Sequence, residues 1–140
     1  VMVEAYLDGT EITQGIYKTR ERSVPFPITE VVTTNEFFDY DAKYKPGGSR
    51  HECPANIPAE IEAACLDFAL RAHKALGCRG VSRTDFRWDE ARGLAGLILL
   101  ETNTQPGMTP TSLAPEQAAM RGIGFPEFCA WMVEDASCNR

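Results

Sequence analysis

Residues 81–103 constrain the fold of this chain more than any other stretch. Val81 to Trp88 reads as one strand and Leu94 to Asn103 as a second, joined by the turn-forming Asp89-Glu90-Ala91-Arg92-Gly93. Two extended runs separated by such a turn read as an antiparallel hairpin centred near residue 92. Side chains on a strand alternate between faces. In Arg83-Thr84-Asp85 the arginine and aspartate therefore share a face, and so do the glutamate and asparagine of Glu101-Thr102-Asn103. Folding back around residue 92 brings Asp85 near Glu101 or its neighbours.

Two carboxylates and an amide oxygen form a hard, oxygen-only set. Mg²⁺ favours such sets, often with nucleotide phosphates completing the shell. The plain alternative is an exposed hairpin end carrying salt bridges. Against it, the apolar run Leu97-Ile98-Leu99-Leu100 leads directly into Glu101. Buried strands seldom end on a carboxylate that lacks a partner.

The rest of the chain reads as α+β. Val1 to Leu7, Glu11 to Tyr17 and Val24 to Val32 are strand candidates, spaced closely enough for an antiparallel meander. Pro25 and Pro27 push the third towards an edge. Asn35 to Pro58 reads as a long polar loop with aromatic residues, of the length that usually serves function. Pro58 to Leu76 is a helix whose stripe is Ile61, Cys65, Phe68, Ala72 and Leu76, with Gly77 as its stop. Two short helices are expected at Pro115–Arg121 and from Pro126 to about Asp135, with Phe128, Trp131 and Met132 facing inward.

Composition narrows the partners. The 140 residues, enough for about one domain, are 44% hydrophobic and carry a formal net charge of -6. A net acidic domain is a poor binder of nucleic-acid backbone, though local basic groups can still hold a small anion. No apolar run approaches the roughly 20 residues of a membrane span. The five cysteines are odd in number and include no C-x-x-C pair. They argue against a disulfide framework or a zinc site and for reduced thiols in a cytoplasmic protein. The opening Val1-Met2-Val3-Glu4 has no basic n-region and reads as a strand cut from something longer.

Two further stretches carry possible chemistry. In Thr104-Gln105-Pro106-Gly107-Met108-Thr109-Pro110-Thr111-Ser112-Leu113, Gly107 permits close backbone approach to a ligand. The hydroxyls there can equally cap the following helix. Lys43 and Tyr44 sit in the long loop, where a lysine could reach phosphates on closure.

Three stretches together resemble the D-alanine–D-alanine ligase family, whose members are ATP-grasp enzymes. Phe38-Asp39-Tyr40-Asp41-Ala42-Lys43-Tyr44 resembles the family's omega-loop, and Arg83-Thr84-Asp85-Phe86 its arginine and metal strand. Glu101-Thr102-Asn103-Thr104-Gln105-Pro106-Gly107-Met108-Thr109 resembles its glutamate-x-asparagine signature, the most specific of the three. Order and spacing agree over essentially the whole chain. The resemblance implies that residues 1–140 are the carboxy-terminal part of an ATP-grasp domain, largely an antiparallel sheet with flanking helices. The amino-terminal substrate domain and the first part of the ATP-grasp domain would lie outside it, leaving this fragment inactive alone.

The resemblance also implies site roles. Asp85, Glu101 and Asn103 would bind two Mg²⁺ ions, or Mn²⁺ in their place. Arg83 and the Gly107 backbone would stabilise a tetrahedral intermediate. Ser112 and Leu113 would hold the carboxylate of the second D-alanine. Lys43 would approach the ATP phosphates, and Tyr44 would join the closure of its loop. Glu4 and Leu7 would line the adenine pocket, and Glu11 would hold the ribose. The expected partners are ATP and D-alanine, with no nucleic acid and no membrane, and a homodimer in the full-length protein. Two alternatives stay open: another ATP-grasp ligase, such as one making D-alanine–D-lactate, and a non-catalytic nucleotide-binding module. Tyr44 favours the dipeptide product.

Overall fold

Strand β1, Thr10–Lys18, organises the sheet, and the computed structural model shows why. Its centre is buried from Ile12 to Ile16, because it lies inside the sheet with neighbours on both sides. The structure describes residues 1, 3–18, 23–33 and 49–137. Within them β2 (Ser23–Pro25), β3 (Thr29–Thr33), β4 (Ser49–Glu52), β5 (Val81–Trp88) and β6 (Leu97–Asn103) join β1 in one sheet. The order is β4-β3-β1-β5-β6, with β2 also paired to β1 and every pairing antiparallel. Helix α1 is Ala59–Ala75, α2 is Leu113–Ala119 and α3 is Phe125–Asp135. The expected α+β architecture is therefore present.

Burial alternates along β5. Ser82, Thr84, Phe86 and Trp88 are buried, while Arg83, Asp85 and Arg87 between them are half-buried. The buried face packs on α1. Ile12, Ile16, Ile28, Phe86, Trp88 and Leu97 meet Ile61, Cys65 and Ala69 there. Each large apolar side chain so buried contributes roughly 1.5–3 kcal/mol. On the other side, Phe26, Val81, Ala114, Ala118 and Phe128 form a second cluster under α2 and α3. Trp131 and Met132 are partly buried against it, close to their expected place. Gly15 permits this packing, since a Cβ there would stand 2.4 Å from Gln117 Oε1 and 2.7 Å from the Phe26 ring.

Several expectations need correction. Residues 3–8 form no strand, because nothing among the described residues pairs with them. The single strand expected at Val24–Val32 is two, broken over residues 26–28. Pro27 cannot donate to a ladder. The Gln14 side-chain amide donates to the Phe26 carbonyl at 2.6 Å across the break. β2 and β3 thus both lie against β1, and the first three strands are not a simple meander. Ser49–Glu52, read as loop, is a strand on β3.

Other boundaries move by a few residues. β6 starts at Leu97, since Glu90–Gly96 is a kinked 3₁₀ segment. Pro58 is the residue before α1 rather than its first residue, and α2 begins at Leu113 rather than Pro115. On α1, Leu76 is 62% exposed, while Ala69 and His73 complete the buried stripe. Gly77 ends the helix in the left-handed region, as expected. Cys53, Cys65, Cys78 and Cys129 are free thiols, and burial pushes the Cys65 thiol up to about 12.

His73 ties α1 to β5. Its Nδ1 is hydrogen-bonded to Ser82 Oγ at 2.7 Å, and the residue is 1% exposed. Burial, with a smaller contribution from the Lys18 charge, lowers its pKa below the ordinary 6.5. The unfolded chain therefore takes up the proton more readily. The stability this neutral imidazole contributes is full above about pH 6.5 and is lost as pH falls through that value towards the lower folded-state pKa. Thermal midpoints measured across this range should fall on acidification, and His73→Phe should flatten that segment of the curve.

Candidate functional site

The face of β5 that α1 does not cover carries the polar side chains. Pairing fixes their neighbours. Asp85 lies opposite Glu101 and Arg83 opposite Asn103 on β6, and on the other flank Asp85 lies opposite Thr13 and Arg87 opposite Glu11 on β1. The four residues read from the hairpin are thus adjacent, on one face, across β5 and the terminal strand β6. An irregularity makes this possible. Phe86 pairs with Leu99 but Asp85 pairs with Glu101, leaving Leu100 as an extra residue in β6. Such a β-bulge is common beside functional sites.

Asp85 is held on three sides. Thr13 Oγ1 donates to its Oδ1 at 2.6 Å, Arg83 Nε to the same oxygen at 2.8 Å, and Arg83 Nη2 to Oδ2 at 2.8 Å. The two charged side chains are 18% and 15% exposed. Burial disfavours the Arg83 charge, but the hydrogen bonds to Asp85 and the charges of Asp85, Glu101 and Glu11 outweigh it and raise its pKa further. Arg83 is therefore a fixed cation facing three carboxylates.

Among the described residues no three His, Cys, Asp or Glu side chains cluster as a metal site. The expected set is instead two carboxylates and an amide. A carboxylate offers about four lone-pair directions, so Asp85 keeps one after its three bonds. Asn103 Oδ1 accepts from the Gln105 amide at 2.9 Å and keeps its second lone pair. Glu101 is exposed. Few protein oxygens with room for water and phosphate oxygens fit a hard divalent cation.

After β6 the chain turns through a loop fastened on itself. Ser112 Oγ accepts from the Thr109 amide at 3.0 Å and is hydrogen-bonded to Thr109 Oγ1 at 2.8 Å. Ser112 stands at the start of α2, but its hydroxyl is spent on this loop and does not cap the helix. Gly107 is exposed, and a Cβ there would come within 3.0 Å of Ser112 Oγ. Leu113 is half-buried as the first residue of α2. Helix α2 is anchored twice. Gln117 Nε2 donates to the Thr13 carbonyl and Thr29 Oγ1, and His51 Nδ1 meets Glu116 at 2.6 Å.

At the other end of the open face, Leu7 joins Tyr6, Asp8, Arg87, Arg92 and Ile98 around a cavity of about 180 Å³. Glu4 is exposed and is not among its walls. Glu11 is ion-paired with Arg87 at 3.4 Å. Lys43 and Tyr44 lie outside the described residues. Thr13 and Arg87 escaped the sequence reading. Alternation along β1 and β5 puts them on the same face as Asp85, but only the strand order makes them neighbours.

Comparisons with known proteins give the chain its relatives. Residues 1–134 match the family model described as D-ala D-ala ligase C-terminus. The chain is 67% identical over 140 residues to a D-alanine–D-alanine ligase of Cereibacter sphaeroides, covering all of this chain and 44% of that protein. The chain thus spans less than half the length of the curated relatives it matches. The D-alanine–D-alanine ligase of Bacillus anthracis complexed with ATP superposes with a TM-score of 0.71 at 32% identity, over 93% of this chain and 40% of that one. The VanG D-Ala:D-Ser ligase of Enterococcus faecalis does so with a TM-score of 0.68 at 27% identity, over 92% and 36%.

The bond from Thr13 to Asp85 is directly testable. Thr13 is 2% exposed, so Thr13→Val keeps the shape and removes the donor. A hydrogen bond to a charged acceptor contributes about 1.5–3 kcal/mol. Chemical denaturation should show a loss of that order from Thr13→Val, and a clearly smaller loss when Asp85 is already alanine.

Proposed function

Since the chain belongs to the D-alanine–D-alanine ligase C-terminus family, we propose that it is the carboxy-terminal part of an ATP-grasp enzyme that joins two D-alanines. The observation that carries this reading is the paired register of Asp85 with Glu101 and Arg83 with Asn103 on one open face. In the proposed reaction ATP phosphorylates the carboxylate of the first D-alanine, giving an acylphosphate and ADP. The amine of the second D-alanine attacks the acyl carbon, loses a proton and expels inorganic phosphate. The product, D-alanyl-D-alanine, would serve peptidoglycan precursor synthesis in the cytoplasm.

Negative charge develops on oxygen in both steps, so cations and N–H donors carry the catalysis. Asp85, Glu101 and Asn103 would hold two Mg²⁺ or Mn²⁺ ions, which when bound neutralise phosphate charge and polarise the transferring phosphoryl group. Arg83, a fixed cation at the centre of the face, would share itself between Asp85 and the oxyanion of the tetrahedral intermediate. The Gly107 amide would complete that oxyanion's contacts. Ser112 and Leu113, in the loop fastened by Thr109, would orient the carboxylate of the second D-alanine. Glu4 and Leu7 would line the adenine site and Glu11 would accept from the ribose hydroxyls. Lys43 would reach the ATP phosphates and Tyr44 the closed loop, both from the resemblance alone. The remaining length seen in the relatives would supply the first D-alanine site and the rest of the nucleotide cleft, so these 140 residues alone would make no dipeptide. A homodimer belongs to this reading of the full-length protein.

The likeness to a D-Ala:D-Ser ligase keeps a second acceptor in view. Offering D-serine and D-lactate beside D-alanine to the full-length protein distinguishes the readings by product.

Two further outcomes follow for that protein. Asn103→Ala and Glu101→Gln should nearly abolish D-alanine-dependent phosphate release and weaken its dependence on Mg²⁺, with the fold intact by circular dichroism. Unchanged Mg²⁺ activation in both variants would remove the metal assignment. Arg83→Ala should lower kcat by about 10²–10³, the usual cost of one oxyanion donor, with a smaller change in ATP affinity. A kcat close to that of the unaltered enzyme in steady-state assays would take Arg83 out of the site.

A further inference from the structure

The reaction proposed above leaves Arg87 without a role. It lies on β5 two residues beyond Asp85, on the same open face and directly across from Glu11 on β1. Its Nη1 donates to the Gly9 carbonyl at 2.7 Å, and its Nη2 stands 3.4 Å from Glu11 Oε2. The side chains of Arg87 and Glu11 are 28% and 18% exposed. The same guanidinium forms part of the cavity that holds Leu7.

These contacts have one physical consequence. Residues 3–8 form no strand and run into β1 through Gly9. Arg87 grips that entry point at Gly9 and the Glu11 carboxylate with one planar, permanently charged group. A forked guanidinium can do both at once; a lysine ammonium, as a point donor, meets such paired acceptors less well. Without it the Glu11 carboxylate would share a face with Asp85 and Glu101 and lose the Arg87 charge beside it. Its rotamers would spread, and ordering a glutamate side chain is costly in entropy.

We propose that Arg87 is a positioning residue for nucleotide selection. It locks Glu11 and the residue 3–9 segment into one unit, so that the carboxylate meets the two ribose hydroxyls of a nucleoside triphosphate whose base lies in the adjoining cavity. The proposal rests on the reading of Glu11 as the ribose acceptor. Arg87 touches no reacting atom; it acts through Glu11 and through the backbone at Gly9.

The test uses the full-length enzyme with ATP and with 2′,3′-dideoxyATP, which lacks both hydroxyls. The quantity read is the ratio of kcat/KM for the two nucleotides. In Arg87→Met this ratio should fall about tenfold, in line with the weakening of a charge-assisted contact, while KM for D-alanine stays unchanged. Arg87→Lys should recover part of the ratio, and should Arg87→Met fail to fold, Arg87→Lys carries the comparison. The double variant Glu11→Gln, Arg87→Met should lose no more than Glu11→Gln alone. If Glu11→Gln loses the ratio while the Arg87 variants keep it, the role of Arg87 is overturned and the ribose reading stands. If Glu11→Gln keeps the ratio, the ribose reading itself falls. An equal drop in rate with both nucleotides marks Arg87 as merely structural and also overturns the proposal.

Discussion

Three carboxylates, Glu11, Asp85 and Glu101, share one open face of the sheet, and two guanidiniums, Arg83 and Arg87, are interleaved with them. The rest of the structure depends on this balance. Like charges on paired strands repel at close range, and the arginines offset that repulsion. Thr13 adds a neutral donor from beneath, through a hydroxyl that the sheet itself buries. The face still carries one more carboxylate than guanidinium.

The scaffold behind that face does a different job. Helix α1 seals the opposite side with an apolar stripe, and the polar groups on that side include the His73–Ser82 pair, the Thr84–Thr102 pair and Gln14, whose amide donates to the Phe26 carbonyl. Helices α2 and α3 cover only part of the open side, through Phe26, Val81 and Phe128. Their footing is polar as well as apolar. Gln117 bonds across to β1 and β3, and Glu116 to His51 on β4. The loop from Gly107 to Ser112 is thereby suspended between β6 and a helix that is itself pinned to three strands. A site built this way owes its precision to neighbours that never meet the reacting groups.

What the sequence disclosed follows physical lines. β5 and the end of β6 were legible because two extended runs flank a turn-forming segment, and two residues of each strand then share a face by geometry. Residues 3–8 carry a similar pattern without being a strand, since a pattern cannot reveal whether a partner exists. Ser49–Glu52 stayed hidden for the opposite reason: Ser49-Arg50-His51-Glu52 has no apolar signal, yet β3 offers it an edge to pair with. Pro25 and Pro27 warned of irregularity but not that one strand would become two. Asp85, Glu101, Asn103 and Arg83 were found by alternation. Thr13 and Arg87 were missed because their proximity is a property of strand order, which no local pattern encodes.

The extra residue at Leu100 has a consequence for how this segment can change. Counting back from Trp88 opposite Leu97, an unbroken ladder would set Glu101 against Thr84, on the face that packs on α1 and away from Asp85 and Arg83. The single unpaired residue reverses the parity of everything after it. Length in this strand is therefore quantised: losing or gaining one residue between Leu97 and Glu101 would turn the acid inside out, whereas a change of two would restore it. Side-chain identity at Leu100 is by the same logic among the freest in the strand, while its mere presence is among the least dispensable facts about the chain.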